Sequence, residues 1–288
     1  MKRNILLAVL AVIILAGCRQ GSEPKVMARA VPERADDFVF ENNLIAGRFY
    51  GKALEGNPTS PGLDIWVKLP GKLVADEWYK GYLEESDAYY HHDHGGKDCY
   101  KVAVSLGGGA SVPFVGGKLR WPATNYRSCK VLESTPDKVV FILEYPAWDV
   151  DEYGAVSLKK KVTVCSDSYF IDVEDTYSFS GEEKMPVAVG FKLHTEQETV
   201  QDRLEAVDRL AIWEKASDQS VEPEDGLIGV AVVMPGAESA FYSPEYDHGL
   251  LTKEVLPGGT VSYRVGSCWS KGDIKTSSDW FDLVRKLK

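Results

Sequence analysis

Two consecutive runs of alternating residues constrain this 288-residue chain more than any other feature. In Ala155–Cys165 apolar side chains occupy every second position, and a second run of the same period, Tyr169–Phe179, follows a short Ser-Asp-Ser segment. This period indicates strands that bury one face, and the polar turn between them predicts an antiparallel hairpin. Each apolar face contains one charged residue, Lys160 or Asp175. We expect these two to lie diagonally across the pair and to form a structural ion pair, rather than part of a site.

The rest of the chain predicts many short strands and few helices. Two segments favour helix: Glu198–Arg209, and Ser277–Leu287 with Ser278 as its cap. No repeat of fixed period is visible, which argues against a propeller. We therefore predict an all-β fold, a large antiparallel β-sandwich with few short helices. The further strand candidates are Asn43–Gly51, Asp64–Lys68, Asp98–Ser105, Val139–Tyr145, Val187–His194, Arg209–Trp213, Leu227–Met234 and Thr260–Trp269.

The N-terminus is typical of a bacterial lipoprotein. Two basic residues precede a short apolar stretch that ends in Leu15-Ala16-Gly17-Cys18, a lipobox-like sequence. We expect residues 1–17 to be a signal peptide and Cys18 to be acylated, which would attach the protein to a membrane. An ordinary secretory signal with a chance cysteine is the alternative. Residues 18–34 are polar and without periodicity, so we expect a flexible tether followed by a single β-sandwich domain over 35–288.

Composition excludes some functions. Lys and Arg number 33 against 43 Asp and Glu, a formal net charge of −10. Such an acidic chain is a poor candidate for binding nucleic acid, which requires clustered cations. An exported chain can form disulfides, but free buried thiols are equally compatible with the four cysteines that follow Cys18. These are Cys99, Cys129, Cys165 and Cys268.

The densest polar cluster runs from Tyr89 to Lys101 and contains three of the five histidines. In an extended segment His92 and His94 would point to one side, which makes them candidate ligands of a divalent metal. A solvated loop is the alternative. Because tyrosines flank the histidines, a sugar site is also compatible with the pattern.

Two further segments combine cations with aromatic or small residues. In Pro186–His194 the odd positions are apolar, whereas Lys192 and His194 share the other face with Ala188 and Gly190; small residues beside an ionisable pair favour a cleft over an ordinary solvent-facing strand. The segment Lys118–Arg127 holds two arginines that suit a carboxylate or sulfate, although surface salt bridges are an equal alternative. His248 is expected to be incidental.

Several of these segments together resemble a known family. The residues that carry the resemblance are Tyr90-His91-x-Asp93-His94-Gly95, Asp98-Cys99-Tyr100-Lys101-Val102 and Tyr145-Pro-Ala-Trp148, preceded by Ala35–Phe38 and Leu63–Lys68. They resemble a domain-of-unknown-function family among lipoproteins of polysaccharide-degrading gut and marine bacteria. One relative is associated with an oligosaccharide dehydratase of ulvan breakdown. The later strands also resemble galactose-mutarotase-like supersandwiches, whose concave sheet face carries the sugar.

The resemblance implies a lipid-anchored protein of the outer membrane or periplasm of a Gram-negative bacterium. It also implies a dehydratase or lyase that eliminates the 4-substituent from a non-reducing-end uronic acid of an acidic oligosaccharide, giving a 4,5-unsaturated uronate. A non-catalytic carbohydrate-binding lipoprotein and a mutarotase-type epimerase remain alternatives. The reaction needs either no cofactor or a divalent metal.

Elimination requires a cation on the carboxylate, a base near C5 and an acid for the leaving oxygen. Candidates for the base are His194 and His94, whose type of side chain titrates near neutral pH. Tyr100 or Tyr126 would be the acid. The substrate-binding candidates are Tyr90, His91, Lys101, Arg120, Trp121, Arg127, Trp148 and Lys192.

Overall fold

The computed structural model describes residues 25–54, 62–194, 200–216, 225–243 and 245–288. Within these ranges the chain forms eighteen strands and two α-helices, α1 (Ala75–Glu84) and α2 (Ser277–Lys286). The strands are β1 (Val26–Val31), β2 (Asp37–Asn42), β3 (Ala46–Phe49), β4 (Asp64–Lys68), β5 (Gly96–Lys97), β6 (Ala110–Val115), β7 (Lys118–Leu119), β8 (Ser128–Ser134), β9 (Lys138–Asp149), β10 (Ala155–Cys165), β11 (Phe170–Ser178), β12 (Met185–Lys192), β13 (Val200–Ala206), β14 (Arg209–Lys215), β15 (Leu227–Val233), β16 (Ser239–Ser243), β17 (His248–Val255) and β18 (Thr260–Trp269).

The described strands form three antiparallel sheets. An eight-stranded sheet has the order β13-β14-β15-β18-β11-β10-β9-β8, and two five-stranded sheets have the orders β1-β2-β3-β4-β5 and β16-β17-β12-β6-β7. One hydrophobic core contains residues from all three sheets, among them Phe38, Phe141 and Phe191. The predicted all-β sandwich is therefore confirmed.

The predicted hairpin is formed by β10 and β11. Lys160 lies directly opposite Asp175 in the register, rather than diagonally from it. The Lys160 Nζ atom is 2.9 and 2.8 Å from the two carboxylate oxygens of Asp175, and the Tyr263 hydroxyl donates to the same carboxylate at 2.7 Å. Both charged side chains are buried, so the expected buried ion pair is confirmed.

Each helix covers the outer face of one sheet. On α1, Trp78 packs against Trp66 of β4 with ring centroids 5.0 Å apart. On α2, Trp280 stacks on Phe170 of β11 at 5.3 Å. The helices thus supply the apolar cover that an exposed sheet face would otherwise lack.

Sequence reasoning missed α1. Its buried residues form only one narrow stripe along the helix, so the apolar pattern is weak. Its N-terminal turn is held by a carboxylate from another element: the Val74 and Ala75 N–H groups donate to the buried Glu41 of β2 at 2.7 and 2.8 Å. An anion at this end satisfies free N–H groups and suits the helix dipole. Because this carboxylate belongs to a strand that is distant in sequence, the residues next to the helix contain no capping pattern that would predict it.

Three local predictions are wrong. The segment Asp98–Ser105 is not a strand, because only Gly96–Lys97 pairs with β4. The helix predicted at Glu198–Arg209 is a strand where it is described, since β13 pairs with β14 through a two-residue turn. The cap of α2 is Thr276 rather than Ser278: its hydroxyl accepts from the Asp279 N–H at 3.2 Å.

The tether boundary also needs correction. Strand β1 lies inside the predicted tether 18–34, and it pairs along its whole length with β2. Val26 and Val31 are both buried, so the folded part already includes them. The predicted signal peptide, Cys18 and the first part of the tether lie outside the described residues. Among the residues that are described, neither helix is long and apolar enough to cross a membrane.

Candidate functional site

The structure brings five of the predicted site residues together at the end of β12. They meet three residues from elsewhere in the chain, and we call the whole group the His194 cluster. Its members are Tyr100, Lys101, Trp121, Lys192, His194, Glu214, Asp247 and His248.

Alternation along β12 explains which side chains reach this cluster. Val187, Val189, Phe191 and Leu193 are fully buried in the main core, as predicted. Lys192 and His194 therefore point to the other side of the strand. Across the ladder, Lys192 is paired with His248 of β17, and the Leu193 N–H donates to the Asp247 carbonyl at 2.7 Å.

His194 is buried between two hydrogen-bond acceptors. Its Nδ1 atom lies 3.0 Å from Glu214 Oε1 and its Nε2 atom 2.8 Å from the Lys101 carbonyl oxygen. Burial alone lowers the pKa of His194, but the Glu214 carboxylate and the two hydrogen bonds outweigh burial and raise it. The Lys101 carbonyl only accepts, so Nε2 donates to it, and the raised pKa favours a proton on Nδ1 as well. A histidine protonated on both nitrogens has no lone pair with which to remove a proton.

The Tyr100 hydroxyl is also engaged in hydrogen bonds within the protein. It donates to the backbone carbonyls of Lys192 and Gly107, at 3.0 and 3.3 Å. Burial raises the pKa of Tyr100 far above its usual value, and the nearby Glu214 carboxylate raises it further. Its ring meets the His194 ring edge to face at 4.7 Å. Tyr100 thus joins the end of β12, at Lys192, to Gly107, at the end of the loop that follows Tyr100.

His248 was expected to be incidental, but it is buried at the centre of this arrangement. Its Nε2 atom accepts from the Leu106 N–H at 3.0 Å, and its Nδ1 atom donates to the Tyr246 carbonyl. Burial lowers the pKa of His248 to about 4 against the opposing effect of the Tyr246 hydrogen bond. The ring is therefore neutral, and Trp121 lies beside it at 6.0 Å.

Four members of the cluster are partly exposed to solvent: Lys192, Asp247, Lys101 and Trp121. The Lys192 side chain is 15% exposed and its ammonium lies 4.0 Å from the Asp247 carboxylate, which is 29% exposed. Lys101 and Trp121 are half-buried. The cluster thus brings Lys101, Lys192 and His194 together with two acidic residues, Glu214 and Asp247, in an acidic chain.

The cleft predicted along the face of β12 is narrower than expected. Ala188 is fully buried in a small apolar cluster with Leu106, Ala110 and Leu250. Gly190 allows close packing of two strands rather than access, because a Cβ there would lie 2.1 Å from the Gly249 carbonyl oxygen. On this face only the two ends of the strand, at Pro186 and Lys192, are partly exposed.

The predicted histidine-rich site lies elsewhere, between α1 and β5. Here the chain makes a 3₁₀ turn over Tyr89–His91 instead of an extended segment, so His92 and His94 do not form a strand face. His92 is exposed, whereas His94 stacks on Tyr89 with centroids 3.9 Å apart. Among the described residues no group of three or more His, Cys, Asp or Glu side chains is placed to hold a metal ion.

Tyr90 and His91 support a buried charge network in the same region. The Arg48 guanidinium donates to Asp64 and Asp98 at 2.7 and 3.0 Å and lies 5.0 Å from the Tyr90 ring. His91 contacts the Asp98 carbonyl through Nδ1 at 3.0 Å. Burial, reinforced by the Asp64 charge, holds the pKa of Asp98 well above its usual range.

The other four predicted site residues, the candidate acid Tyr126 and three candidate binding residues, have separate positions. Arg120 pairs with Asp151, and Arg127 is exposed at the start of β8. The Tyr126 hydroxyl donates to the Asp36 carbonyl at 2.5 Å. Trp148 is buried in the main core. These residues do not meet His194, and the Tyr126 hydroxyl is occupied as the Tyr100 hydroxyl is.

Sequence reasoning missed Glu214, Asp247 and His248 as members of the cluster. Glu214 is an isolated carboxylate at the end of a predicted strand, and Asp247 and His248 belong to an unremarkable turn. Their roles depend on the pairing of β12 with β17 and on the packing of β14 against β17, which brings Glu214 to His194. No local signal in the sequence reveals either relation.

A protein-family model matches residues 18–288, which is nearly the whole chain. The chain belongs to the DUF4861 family. Its description is a domain of unknown function, so membership assigns no activity. A DUF4861 relative is the uncharacterized protein P7 of Formosa agariphila, which is 28% identical over 275 residues. The alignment covers 90% of this chain but 66% of P7, slightly less than two thirds of that protein's length.

Several solved structures are also similar to this DUF4861 chain. A putative aldose 1-epimerase from Escherichia coli aligns with a TM-score of 0.35 and 9% identity, covering 85% of this chain and 99% of that one. A galactose mutarotase related enzyme from Lactobacillus acidophilus aligns with a TM-score of 0.32 and 10% identity, covering 80% and 97%. TM-scores this low do not establish a common fold, so the supersandwich topology stays a prediction.

Proposed function

We propose that this DUF4861 protein is a carbohydrate-active protein that recognises the carboxylate of a uronic acid at the His194 cluster. The observation that supports this most directly is that basic residues, Lys192 and His194 with the half-buried Lys101, meet at one place in an acidic chain. Trp121 lies 6.0 Å from His248, the ladder partner of Lys192, and an indole offers an apolar face to a sugar ring. A clustered charge of this sign attracts an anionic ligand despite the net negative charge of the molecule.

The proposed reaction is elimination of the 4-substituent from a non-reducing-end uronic acid. A base removes the proton at C5, the C4–C5 double bond forms, and the 4-oxygen leaves with a proton as water or alcohol. In this proposal Lys192 binds the carboxylate, which stabilises the negative charge that develops next to C5. Asp247 is the proposed base because its carboxylate is partly exposed and adjacent to Lys192. Lys101 would protonate the leaving oxygen.

The roles first considered for His194 and Tyr100 change in this proposal. His194 donates through both nitrogens, and the Tyr100 hydroxyl donates to the backbone. We therefore assign them to positioning Lys101 and Lys192 rather than to proton transfer.

The test is growth of the ultraviolet absorbance of a conjugated enol-uronate from uronate-capped oligosaccharides. We expect Lys192→Gln to reduce turnover by about 10²-fold or more, as loss of a group that stabilises transition-state charge does. The control is Lys130→Gln, at an exposed lysine of β8, which should retain full turnover. Equal turnover of both variants would show that the site is elsewhere.

One observation favours a second candidate, a non-catalytic carbohydrate-binding protein. Both histidines of the cluster and Tyr100 are engaged in hydrogen bonds within the protein, so the familiar acid–base side chains are occupied. Calorimetry with the same oligosaccharides distinguishes the two: binding without new absorbance indicates a binding protein. Interconversion of anomers without new absorbance would instead indicate a mutarotase. Equal affinity for a carboxyl-reduced oligosaccharide would contradict carboxylate recognition in each case.

We further propose that the protein is lipid-anchored through Cys18 in the outer membrane or periplasm of a Gram-negative bacterium. The lipobox-like Leu15-Ala16-Gly17-Cys18 supports this proposal. Labelled palmitate should be incorporated into the wild-type protein and not into Cys18→Ser. Equal incorporation into both would contradict it.

A further inference from the structure

Two buried histidines hold opposite ends of one loop, residues 101–107. His194, after β12, donates from Nε2 to the Lys101 carbonyl at 2.8 Å. His248, at the start of β17, accepts through Nε2 from the Leu106 N–H at 3.0 Å. The loop is therefore held by one histidine side chain at the end of β12 and by another at the start of β17.

The loop is also braced internally. The Ser105 hydroxyl donates to the Val102 carbonyl at 2.6 Å and accepts from the Gly107 N–H at 2.9 Å. The Gly107 carbonyl in turn accepts from the Lys192 N–H at 2.8 Å. Because of these bonds, a shift of the loop at Leu106 is transmitted toward Lys101.

The two attachments need opposite states of the histidine Nε2 atom. The Lys101 carbonyl only accepts, so Nε2 of His194 must carry a proton. The Leu106 N–H is a donor, so Nε2 of His248 must lack a proton.

We propose that His194 and His248 act together as positioning residues that place Lys101, and that both attachments exist only while Nε2 of His194 carries a proton and Nε2 of His248 carries none. The attachments belong to the ligand-free protein. That they present Lys101 to a sugar carboxylate rests on the proposed function.

The charged neighbours of the two rings support this division. His194 meets Glu214 of β14, which favours its protonation, and Lys192 of β12, which opposes it. Around His248, the Lys192 and His194 charges oppose protonation, while Asp247 beside it favours it. The Tyr246 carbonyl and the Trp121 ring complete the surroundings of His248.

The first test is nitrogen-15 NMR of the imidazole rings in the folded, ligand-free chain at about pH 6. The five histidines can be assigned by single substitutions. We expect both nitrogens of His194 to be protonated, and His248 to have a protonated Nδ1 and an unprotonated Nε2. A His194 without a proton on Nε2, or a His248 protonated on Nε2, would overturn the proposal.

The second test is hydrogen exchange of the loop amides. His248→Phe keeps a ring but loses the acceptor, so exchange at Leu106 should become about tenfold faster or more. His248→Gln can still accept from Leu106 and should restore part of the protection. The control is His92→Gln, at an exposed histidine. Unchanged protection in a folded His248→Phe would overturn the proposal, and since no sugar is present, this outcome leaves the proposed function untouched.

The consequence for binding is tested separately. If uronate binding is found, His248→Phe should weaken it more than His248→Gln does, while His92→Gln should leave it unchanged. If His248→Phe binds as tightly as the wild type although the loop exchanges faster, Lys101 does not contact the carboxylate. If the wild type binds no uronate, only the proposed function fails.

Discussion

At the scale of single residues, buried charges decide how this protein is held together. Lys160 and Asp175 interrupt two apolar faces, and the cost of burying each is offset by the other and by the hydroxyls of Ser111 and Tyr263. His194 and Glu214 form a second such pair. A buried ion pair adds little net stability to the folded protein, but removing one partner leaves an uncompensated buried charge, which is strongly destabilising.

Asp175→Asn should therefore destabilise the protein by about 3–5 kcal/mol, because Lys160 would remain buried without a counter-charge. The control is the adjacent exposed pair, Lys161 and Glu174, whose side chains are nearly half exposed. Glu174→Gln should cost less than about 1 kcal/mol. Urea denaturation measures both, and similar losses in the two variants would show that the Lys160–Asp175 pair is not energetically distinct.

Glu214→Gln should change how stability depends on pH. The folded pKa of His194 is raised, so its contribution is present below its unfolded pKa of about 6.5 and is lost as the pH rises through the folded value. Removing Glu214 removes that contribution. The stability difference between wild type and Glu214→Gln should be larger at about pH 5.5 than at about pH 9.

His248 has a folded pKa of about 4, so it is neutral in the folded state at both of these pH values and adds nothing to the trend in this difference. The control variant is Glu205→Gln, an exposed carboxylate on β13, which should show no such trend. A difference between wild type and Glu214→Gln that is independent of pH would mean that His194 is not charged in the folded state.

At the scale of elements, local patterns predicted those whose partners are close in sequence. The β10–β11 hairpin is joined by a short turn, so alternation and turn chemistry suffice to define it. Strand β13 shows the opposite case. Its polar sequence is compatible with a helix, and pairing with β14 decides that it is extended.

The N-cap of α2 gives a prediction at this scale. Thr276→Ala should destabilise the protein by about 1 kcal/mol, because the Asp279 N–H loses its acceptor. Ser278→Ala, at the position first expected to be the cap, should change stability by less than about 0.5 kcal/mol. Thermal unfolding compares the two, and an equal or larger effect at Ser278 would contradict the observed cap.

At the scale of the whole molecule, the three sheets share one core, so the first strand matters to all of them. Strand β1 covers the edge of β2 and buries Val26 and Val31. A chain that starts at Lys25 should fold as the full chain does. One that starts at Ala35 should lose about 3 kcal/mol or more from these two side chains alone.

Circular dichroism with urea denaturation measures this comparison. If the chain starting at Ala35 were as stable as the one starting at Lys25, β1 would be dispensable and the boundary first predicted at residue 35 would be adequate.

The sequence by itself determined the all-β class, the β10–β11 hairpin with its ion pair, the core face of β12 and the position of α2, because these depend on contacts between neighbours in the chain. Tertiary structure alone decided which candidate site residues meet. Lys192 and His194 are two residues apart in the chain, but Glu214 and His248 reach them only through sheet packing and ladder pairing. The protonation of each histidine depends on those distant partners, and therefore no local pattern could reveal it.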